Sequence, residues 1–203
     1  MPGLAGWMTR KGVMDDSVRA AMAKWPNVPD VFGWLRLDGR GQWWIQDERL
    51  SHPAMIEFIQ RNYAQDRQGR AFFPNGPQRV FVQCDVSPYV VRYQHGDWRL
   101  HDGEAVFWIG GVFLTAEGML LLDVNRGKLA VVDDRDLTAV LALLHDQERR
   151  PLDDDNWVRW LDGTSTLFMT YRPPQPHLPV QLATLATLHE QFHLQVQPEP
   201  EAE

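Results

Sequence analysis

The sequence predicts an α+β fold built from two structurally similar lobes, each with antiparallel hairpins packed against a helix. Many segments alternate apolar and polar residues between turn signals, whereas only a few segments show helical spacing. The same order of hairpin, helix and strands recurs in the second half of the chain. Because regular alternation of strands and helices is absent, the sequence does not indicate a parallel sheet.

A short helical pattern precedes the first lobe. Its apolar residues share one stripe of a helix over residues 16–25, and Pro26 follows directly. We therefore expect residues 1–30 to form an N-terminal extension that contains one docking helix.

Residues 31–95 are predicted to form the first lobe. Its first hairpin turns at DGRG and its second at DRQG. Between these hairpins Ser51 is expected to cap a helix that carries Pro53 in its first turn. The predicted strands cover residues 32–37, 42–47, 70–73, 79–86 and 89–93.

Residues 96–195 are predicted to form the second lobe on the same plan. A helix opened by Asp133 or Asp134 is expected to bury one apolar stripe. A final helix is expected after Pro179 and ends near Leu194, and residues 196–203 form a predicted disordered tail. The predicted strands cover residues 98–100, 105–109, 112–115, 119–124, 128–132, 157–161 and 166–171, and the acidic segment PLDDDN at 151–156 is expected to form a solvated loop.

Charge is distributed unevenly along the 203 residues. Residues 1–100 carry a net charge of +3 and residues 101–203 a net charge of −10, which gives −7 for the chain. The acidic balance argues against a nucleic acid polymer as a partner. A small anionic ligand would find its cations in the first half, although the same arginines also suit a solvated surface. These arginines are Arg36, Arg40, Arg49, Arg79 and Arg92.

The apolar segments of the sequence are short. They fall far below the roughly 18 residues that a membrane span needs, and no leader pattern opens the chain. We therefore expect a cytoplasmic protein without a membrane partner. The single cysteine, Cys84, cannot form an internal disulfide, and it falls in an alternating row of valines that is typical of the buried face of a strand.

The strongest motif is HEQFH at residues 189–193. On a helix it would place His189 and His193 one turn apart to bind zinc, with Glu190 as general base. No third ligand with a known zinc spacing follows, so a terminal amphipathic helix is the favoured interpretation. The residues facing inward from that helix would be Leu182, Leu185, Leu188 and Phe192.

Other catalytic and cofactor motifs are missing from the sequence. It contains no nucleophile elbow, no dinucleotide fingerprint and no phosphate-binding loop. We therefore predict no cofactor and favour a protein without enzymatic activity. A zinc-dependent hydrolase centred on HEQFH remains a minor alternative.

Two adjacent tryptophans, Trp43 and Trp44, must point to opposite faces of their predicted strand. One ring can enter the core of its own lobe. The other ring needs cover from the second lobe, the docking helix, a second subunit or a ligand.

Residues 41–89 resemble a bacterial family of proteins of unknown function. The segments that carry the resemblance are GQWWIQDERLSHPAMIEFI and QGRAFFPNGPQRVFVQCDVSPY. Their spacing fits the family pattern without gaps over residues 68–89. The resemblance implies a duplicated two-lobe core, a C-terminal lobe similar to pleckstrin-homology folds, and a nucleotide-like ligand between the lobes with a role in signalling.

The resemblance also implies which side chains bind the ligand. Gln78 and Arg79 stand where the family has Glu-Lys, and His52 stands where it has Arg, so the identity of the ligand can differ. Arg79 is the first candidate, because a guanidinium binds phosphate or carboxylate through two parallel hydrogen bonds; pairing with a nearby acid is the alternative. The implied ligand-binding residues are Arg79, Gln78, Asp85, Tyr89, Trp43 and His52.

Three functions follow from the sequence. The first is a non-enzymatic ligand-binding or signalling module with a small anionic, nucleotide-like ligand between its lobes. The second is a protein-interaction or homodimerisation module without a small ligand, and the minor third is the zinc-dependent hydrolase. Stabilisation of a monomer by a ligand would favour the first.

Overall fold

The computed structural model describes residues 28–171 and 177–200, so the predicted docking helix lies outside the described residues. The first elements along this part of the chain are β1 Val31–Leu37, β2 Trp43–Ile45, β3 Glu48–Arg49, α1 Pro53–Asn62, β4 Ala64–Gln65, β5 Ala71–Asn75 and β6 Gln78–Cys84. The strands form a six-stranded sheet in the order β3-β2-β1-β6-β5-β4.

The remaining strands form a second sheet. The elements are β7 Tyr89–Gln94, β8 Asp97–Leu100, β9 Ile109–Leu114, β10 Leu120–Val124, β11 Lys128–Val132, the 3-10 turn Asp134–Asp136, α2 Leu137–Leu141, β12 Leu144–His145, α3 Asp154–Leu161, β13 Phe168–Met169, β14 Leu178–Leu182 and α4 Leu185–Gln191. The eight strands follow the order β12-β13-β14-β9-β10-β11-β7-β8. The predicted α+β class with two similar lobes is confirmed.

Both sheets contain the same six-stranded pattern. In the first sheet, the meanders β1-β2-β3 and β4-β5-β6 join through the parallel pair of β1 and β6. In the second sheet, β9-β10-β11 and β12-β13-β14 join through the parallel pair of β9 and β14. We call residues 31–84 the first repeat and residues 109–182 the second repeat.

The part of the chain that forms the second sheet differs from the first repeat by two additions. The hairpin β7-β8 extends the second sheet, because β7 pairs in parallel with β11. The helix α3 lies between β12 and β13, where the first repeat has only a tight turn. The second sheet therefore starts at Tyr89, and the predicted lobe boundary between residues 95 and 96 falls in the turn of β7-β8.

The sheets are mixed rather than purely antiparallel, which corrects the sequence-based expectation. Parallel pairs join β1 to β6, β7 to β11 and β9 to β14. In each repeat the last strand returns beside the first strand after a long connection, and such a return produces a parallel pair. Helices do not alternate with strands along the chain, so the sequence lacks the usual signal of this arrangement.

Apolar side chains fill two layers, one between the sheets and one on the outer side of the second sheet. On β10, Leu121 belongs to the layer between the sheets, whereas Leu120 and Leu122 belong to the outer layer. Because the second sheet is covered on both faces, its strands carry continuous apolar runs. Burial of each such leucine contributes about 2 kcal/mol to stability.

Residues 157–161 form part of helix α3, so the strand predicted there is wrong. Asp153 is the N-cap and its carboxylate accepts a hydrogen bond from the Asn156 amide at 2.8 Å. The spacing of Trp157 and Trp160 puts both rings toward the outer layer of the core. The acidic residues that suggested a solvated loop instead start a helix, as carboxylates at helix N-termini do.

The predicted strand over residues 105–109 is also wrong for most of its length. Only a single bridge joins Ala105 to Arg99, and the regular strand β9 begins at Ile109. Phe107 is 63% exposed, so the apolar run does not continue as one buried strand.

The last helix is shorter than predicted. It begins at Leu185 after β14, and Leu182 lies on that strand with 54% of its surface exposed, which corrects its predicted inward position. Thr184 caps the helix through a capping box with Thr187. Leu188 is buried between the sheets, as predicted, and Phe192 packs against the same core.

The C-terminal segment returns to the first repeat. The Cys84 amide donates to the Val196 carbonyl at 2.8 Å, and the Gln195 amide donates to the Gly69 carbonyl at 3.1 Å. Gln197 also donates from its side chain to the Cys84 carbonyl. The start of the predicted tail at residues 196–203 is thus hydrogen bonded to β6.

Candidate functional site

A cavity of about 480 Å³ opens where the first repeat faces the second. The β1-β2 turn of the first repeat forms one side, and β10, β11 and the start of α2 form the other side. Its apolar lining comes from Trp44, Val86, Met119, Leu120, Val131, Val132 and Leu137. Asp38, Arg40 and Asp134 supply charge at this cavity.

Asp38 holds the β1-β2 turn and the Trp44 ring in place. One carboxylate oxygen accepts from the Arg40 and Gln42 amides at 2.9 and 2.8 Å, and the other accepts from the Trp44 indole nitrogen at 2.8 Å. The Arg36 guanidinium lies over the Trp44 ring, 4.8 Å from its centre. These contacts hold the indole in place at the cavity.

Arg40 and Asp134 form an ion pair across the cavity. Two parallel hydrogen bonds of 2.8 and 2.7 Å join the guanidinium to the carboxylate. The hydrogen bond from Arg40 lowers the pKa of Asp134, and the bond to Asp134 raises the pKa of Arg40. Because both side chains are more than half exposed, the pair contributes little to stability and can exchange partners.

Buried acidic groups fix the segment that carries Asp134. The Asp133 carboxylate is fully buried and pairs with both Arg92 and Arg135. Arg135 also donates to the Arg40 carbonyl at 3.2 Å, which connects the second sheet to the turn of the first. Contacts within the chain thus hold both sides of the cavity, and the Arg40–Asp134 ion pair is exposed.

The predicted residues Gln78 and Arg79 lie outside this cavity. Arg79 binds both carboxylate oxygens of Asp30, at 2.9 and 2.5 Å, and lies over the Phe81 ring. Gln78 donates to the Pro29 carbonyl at 2.9 Å. The guanidinium proposed for an anionic ligand already has a carboxylate partner in the chain.

Asp85 lies beside the cavity and pairs with Arg36, the same arginine that covers the Trp44 ring. Trp43 faces the opposite side of β2 and is 1% exposed, so the predicted division of the two tryptophans is confirmed. Tyr89 is also buried, and burial raises its pKa. The Tyr63 ring contacts both Trp43 and Tyr89 edge to face.

His52 lies at the start of α1, away from these groups. It is the N-cap, and its Nδ1 accepts from the Met55 amide at 3.4 Å, which corrects the expected cap at Ser51 by one residue. The six predicted residues thus do not converge on one site. Their role in ligand binding remains a prediction.

HEQFH does not form the zinc arrangement considered from the sequence. The helix ends at Gln191, and His193 has a φ of 52°, so it does not lie one helical turn above His189. The His189 Nε2–H donates to the Val86 carbonyl at 2.7 Å. Among residues 28–171 and 177–200, no three metal-ligating side chains gather at one point.

Cys84 is a core residue, as predicted. Its side chain is fully buried, and this burial raises the pKa of the thiol to about 12. A thiol with that pKa is protonated at neutral pH and is a poor nucleophile.

The side chains that form the cavity were only partly visible in the sequence. Arg40 belongs to the arginine group singled out above, and Asp134 was expected to start a helix. Asp38 carried only a turn signal, whereas Trp44 belongs to the pair of adjacent tryptophans of which one was expected to need cover outside its own core. Their meeting depends on how the two sheets pack, and sequence periodicity does not specify that packing.

Comparison with known proteins identifies the family. The model of the family DUF2944, described as a protein of unknown function (DUF2946), matches residues 14–199. The chain belongs to this family. The resemblance to proteins of unknown function that the sequence indicated is confirmed at this level.

Two solved structures resemble this one. A DUF1285 family protein from Silicibacter pomeroyi DSS-3 matches with a TM-score of 0.50 at 16% identity, over 85% of this chain and 96% of that protein. A DUF1285 family protein from Shewanella baltica OS155 has a TM-score of 0.40 at 13% identity, over 52% of this chain and 88% of that protein. The first similarity establishes a shared fold.

A comparison with curated proteins returned no match. Within the described part of the chain, no helix is long and apolar enough to cross a lipid bilayer.

Proposed function

We propose that the chain is a non-enzymatic binding module that takes a small ligand in the cavity between its two repeats. The observation that carries this proposal is the cavity itself, with an apolar lining and one exchangeable arginine. Its volume of about 480 Å³ lies in the range of about 300 to 1,000 Å³ that is usual for small-molecule sites.

The lining favours a ligand with a flat apolar part and one anionic group. The apolar part would pack against Trp44, Met119 and Leu137, where burial drives binding. The anionic group would take Arg40 from Asp134, a carboxylate that is 57% exposed and regains hydration when it is released.

A nucleotide with several phosphate charges fits this cavity less well. Asp38 and Asp134 face it together with Arg40, so the charges there do not favour a polyanion. We therefore refine the nucleotide-like ligand expected from the sequence to a monoanion with a ring. A role in signalling and a likeness of the second lobe to pleckstrin-homology folds remain proposals that rest on the sequence resemblance.

Tryptophan fluorescence and thermal shift test the site together. A panel of aromatic monocarboxylates should raise the unfolding temperature and change the emission of Trp44. Arg40→Gln should weaken binding about tenfold, since it removes a charge-assisted bidentate contact. Arg99→Gln, on the exposed side of β8, is the control and should bind as the unsubstituted protein does.

Arg79→Ala separates this cavity from the site that the resemblance implied. If the cavity is the binding site, this variant keeps its ligand affinity, because Arg79 contacts Asp30 and does not line the cavity. Loss of binding in Arg79→Ala with full binding in Arg40→Gln would contradict the proposal.

A homodimer is the second candidate function. The observation that favours it is the group of apolar side chains more than half exposed on α3 and β14, namely Val158, Leu161 and Leu182. Light scattering across a range of protein concentrations measures the molecular mass in solution and so tests for a homodimer. A mass that stays at 23.5 kDa would exclude a homodimer in that range.

A further inference from the structure

Two histidines and a threonine meet at the far edge of the second sheet. His145 Nε2 lies 2.9 Å from His177 Nδ1 and 2.9 Å from the Thr170 hydroxyl. The same hydroxyl lies 3.1 Å from His177 Nδ1. Three polar side-chain atoms from separate segments therefore converge at one point.

The neighbouring backbone fixes the tautomer of His145. The Asp146 carbonyl lies 2.8 Å from His145 Nδ1 and can only accept, so Nδ1 carries the proton and Nε2 presents a lone pair. The Thr170 hydroxyl or His177 Nδ1–H then donates to Nε2. In this arrangement Nε2 of His177 stays available for a ligand or for solvent.

A cavity of about 490 Å³ adjoins this cluster. His145 and Thr170 line it together with Arg149 and the ring of Tyr93. In the part of the chain that the structure describes, Arg149 forms no ion pair, whereas the adjacent Arg150 pairs with Asp146 and Glu148. The cavity therefore has one arginine whose charge is not matched by a contacting carboxylate.

Arg149 occupies a backbone position that favours glycine. Its φ is +64°, in the left-handed region that side chains rarely adopt. Arg126 has a similar φ of +67°, so this strain alone does not indicate a site. What distinguishes Arg149 is its position at the cavity beside the two histidines.

The first repeat contains the same turn with glycine at this position. In residues 66–70 the Asp66 amide donates to the Arg70 carbonyl, and Arg70 returns its side chain to Asp66. In residues 146–150 Asp146 and Arg150 make the same two contacts. The residue before the second arginine is Gly69 in one copy and Arg149 in the other.

We propose that Arg149, His177 and Thr170, positioned by His145, form a binding site for a phosphate group, either inorganic or at the end of a small phosphomonoester. Arginine and hydroxyl groups donate to phosphate oxygens. His177 adds a second cation when its ring takes up a proton. The Arg149 charge disfavours a metal ion at the same nitrogens. The nearby carboxylate of Asp146 is already neutralised by Arg150.

The test uses the full chain with nitrogen-15 in its histidine rings and inorganic phosphate as the probe. Phosphate should shift the ring signals of His145 and His177 together with one saturation curve, and leave those of the exposed His52 at the start of α1 unchanged. Arg149→Gln should weaken binding about tenfold, as expected for loss of a charge-assisted contact. Arg126→Gln is the matched control, because it removes an exposed arginine of the same backbone conformation.

Several results would overturn this assignment. One is that phosphate leaves the rings of His145 and His177 unmoved at tens of millimolar. Another is that Arg126→Gln weakens binding as much as Arg149→Gln does, which would indicate only general attraction. Zinc chloride shifting the two rings to a stoichiometric end point, with no effect of phosphate, would show a metal site instead.

Discussion

The turns at residues 66–70 and 146–150 have the same backbone hydrogen bonds but face different surroundings. In the first repeat, the His193 carbonyl approaches so closely that a Cβ on Gly69 would lie 1.7 Å from it. In the second repeat, the corresponding residue is an exposed arginine beside a cavity. The two repeats thus share the turn, whereas the C-terminal segment leaves no room for a side chain at this position in the first repeat.

Replacing Gly69 of the first turn by arginine, the residue at this position in the second turn, should have the largest effect on stability. Gly69→Arg puts a side chain where the C-terminal segment lies, at a φ of +80°. We expect a loss of more than about 3 kcal/mol in the free energy of unfolding, from overpacking and left-handed strain together. Urea denaturation measures this loss.

Gly76→Ala is the control for the conformational part of that loss. Gly76 has a φ of +62°, and an added Cβ would meet nothing within 4 Å. This variant should lose only about 1 kcal/mol, the cost of the left-handed conformation. Equal losses in Gly69→Arg and Gly76→Ala would show that the C-terminal segment accommodates the added side chain without a cost in stability.

The last residue of each turn is an arginine, and it should contribute more to stability in the first repeat than in the second. Arg70 is 8% exposed, pairs with Asp66 and lies over the Phe81 ring at 4.5 Å. Arg70→Gln should therefore cost about 2 kcal/mol of unfolding free energy. Arg150 is 65% exposed, so Arg150→Gln should cost less. A larger loss in Arg150→Gln would contradict the proposed difference between the copies.

Arg149→Gly should make the second turn resemble the first and raise stability slightly. Removing the left-handed strain gains about 1 to 2 kcal/mol, and the greater freedom of glycine in the unfolded chain offsets about 0.5 to 1 kcal/mol of that gain. Thermal unfolding should show a small increase, while phosphate loses its effect on the histidine rings. A stabilised variant with unchanged phosphate binding would show that Arg149 has no role in the site.

The smallest expected effect is a dependence of stability on pH. Burial, then the positive charge of Arg149 and the proximity of His145, lower the pKa of His177. The unfolded chain therefore binds more protons than the folded chain between the lowered pKa and about pH 6.5. Stability should be fully present above that pH and should fall as the pH decreases through this window.

Denaturation at several pH values compares His177→Asn with His95→Asn. The first variant should lose the acid-side decline caused by this group, and the second should keep it. The groups facing His177 are His145, Thr170 and Arg149, with the Arg150 pairs to Asp146 and Glu148 beside them. An unchanged decline in His177→Asn would assign it to other groups.

The hairpins of the first repeat were predictable because their signals are local. DGRG joins β1 to β2, as predicted. DRQG is also a turn, but it joins β5 to the short strand β4, which was not predicted, and the predicted strands near 70–73 and 79–86 pair across the turn at Gly76. Helix α3 was missed because Asp153 and its acidic neighbours suggested solvation rather than capping. The parallel pairs were missed because strands such as β9 and β14 meet only after a long excursion of the chain.

The candidate site was less predictable than the fold. Arg40 and Asp134 are 94 residues apart, and neither carries a local motif that specifies the other. Arg79 seemed suited to an anion by residue type, yet its guanidinium already binds the Asp30 carboxylate through two hydrogen bonds. The charge type could be inferred from the sequence, whereas the partner of each charge depends on packing between distant segments.

The return of the C-terminal segment to the first sheet has a consequence for the order of folding. The contact between Gln197 and Cys84 spans 113 residues, and that between His189 and Val86 spans 103. During synthesis the first repeat leaves the ribosome long before helix α4 and residues 195–197, which complete its packing. Such distant contacts slow folding, and they join both repeats into one cooperative unit that should unfold in a single transition.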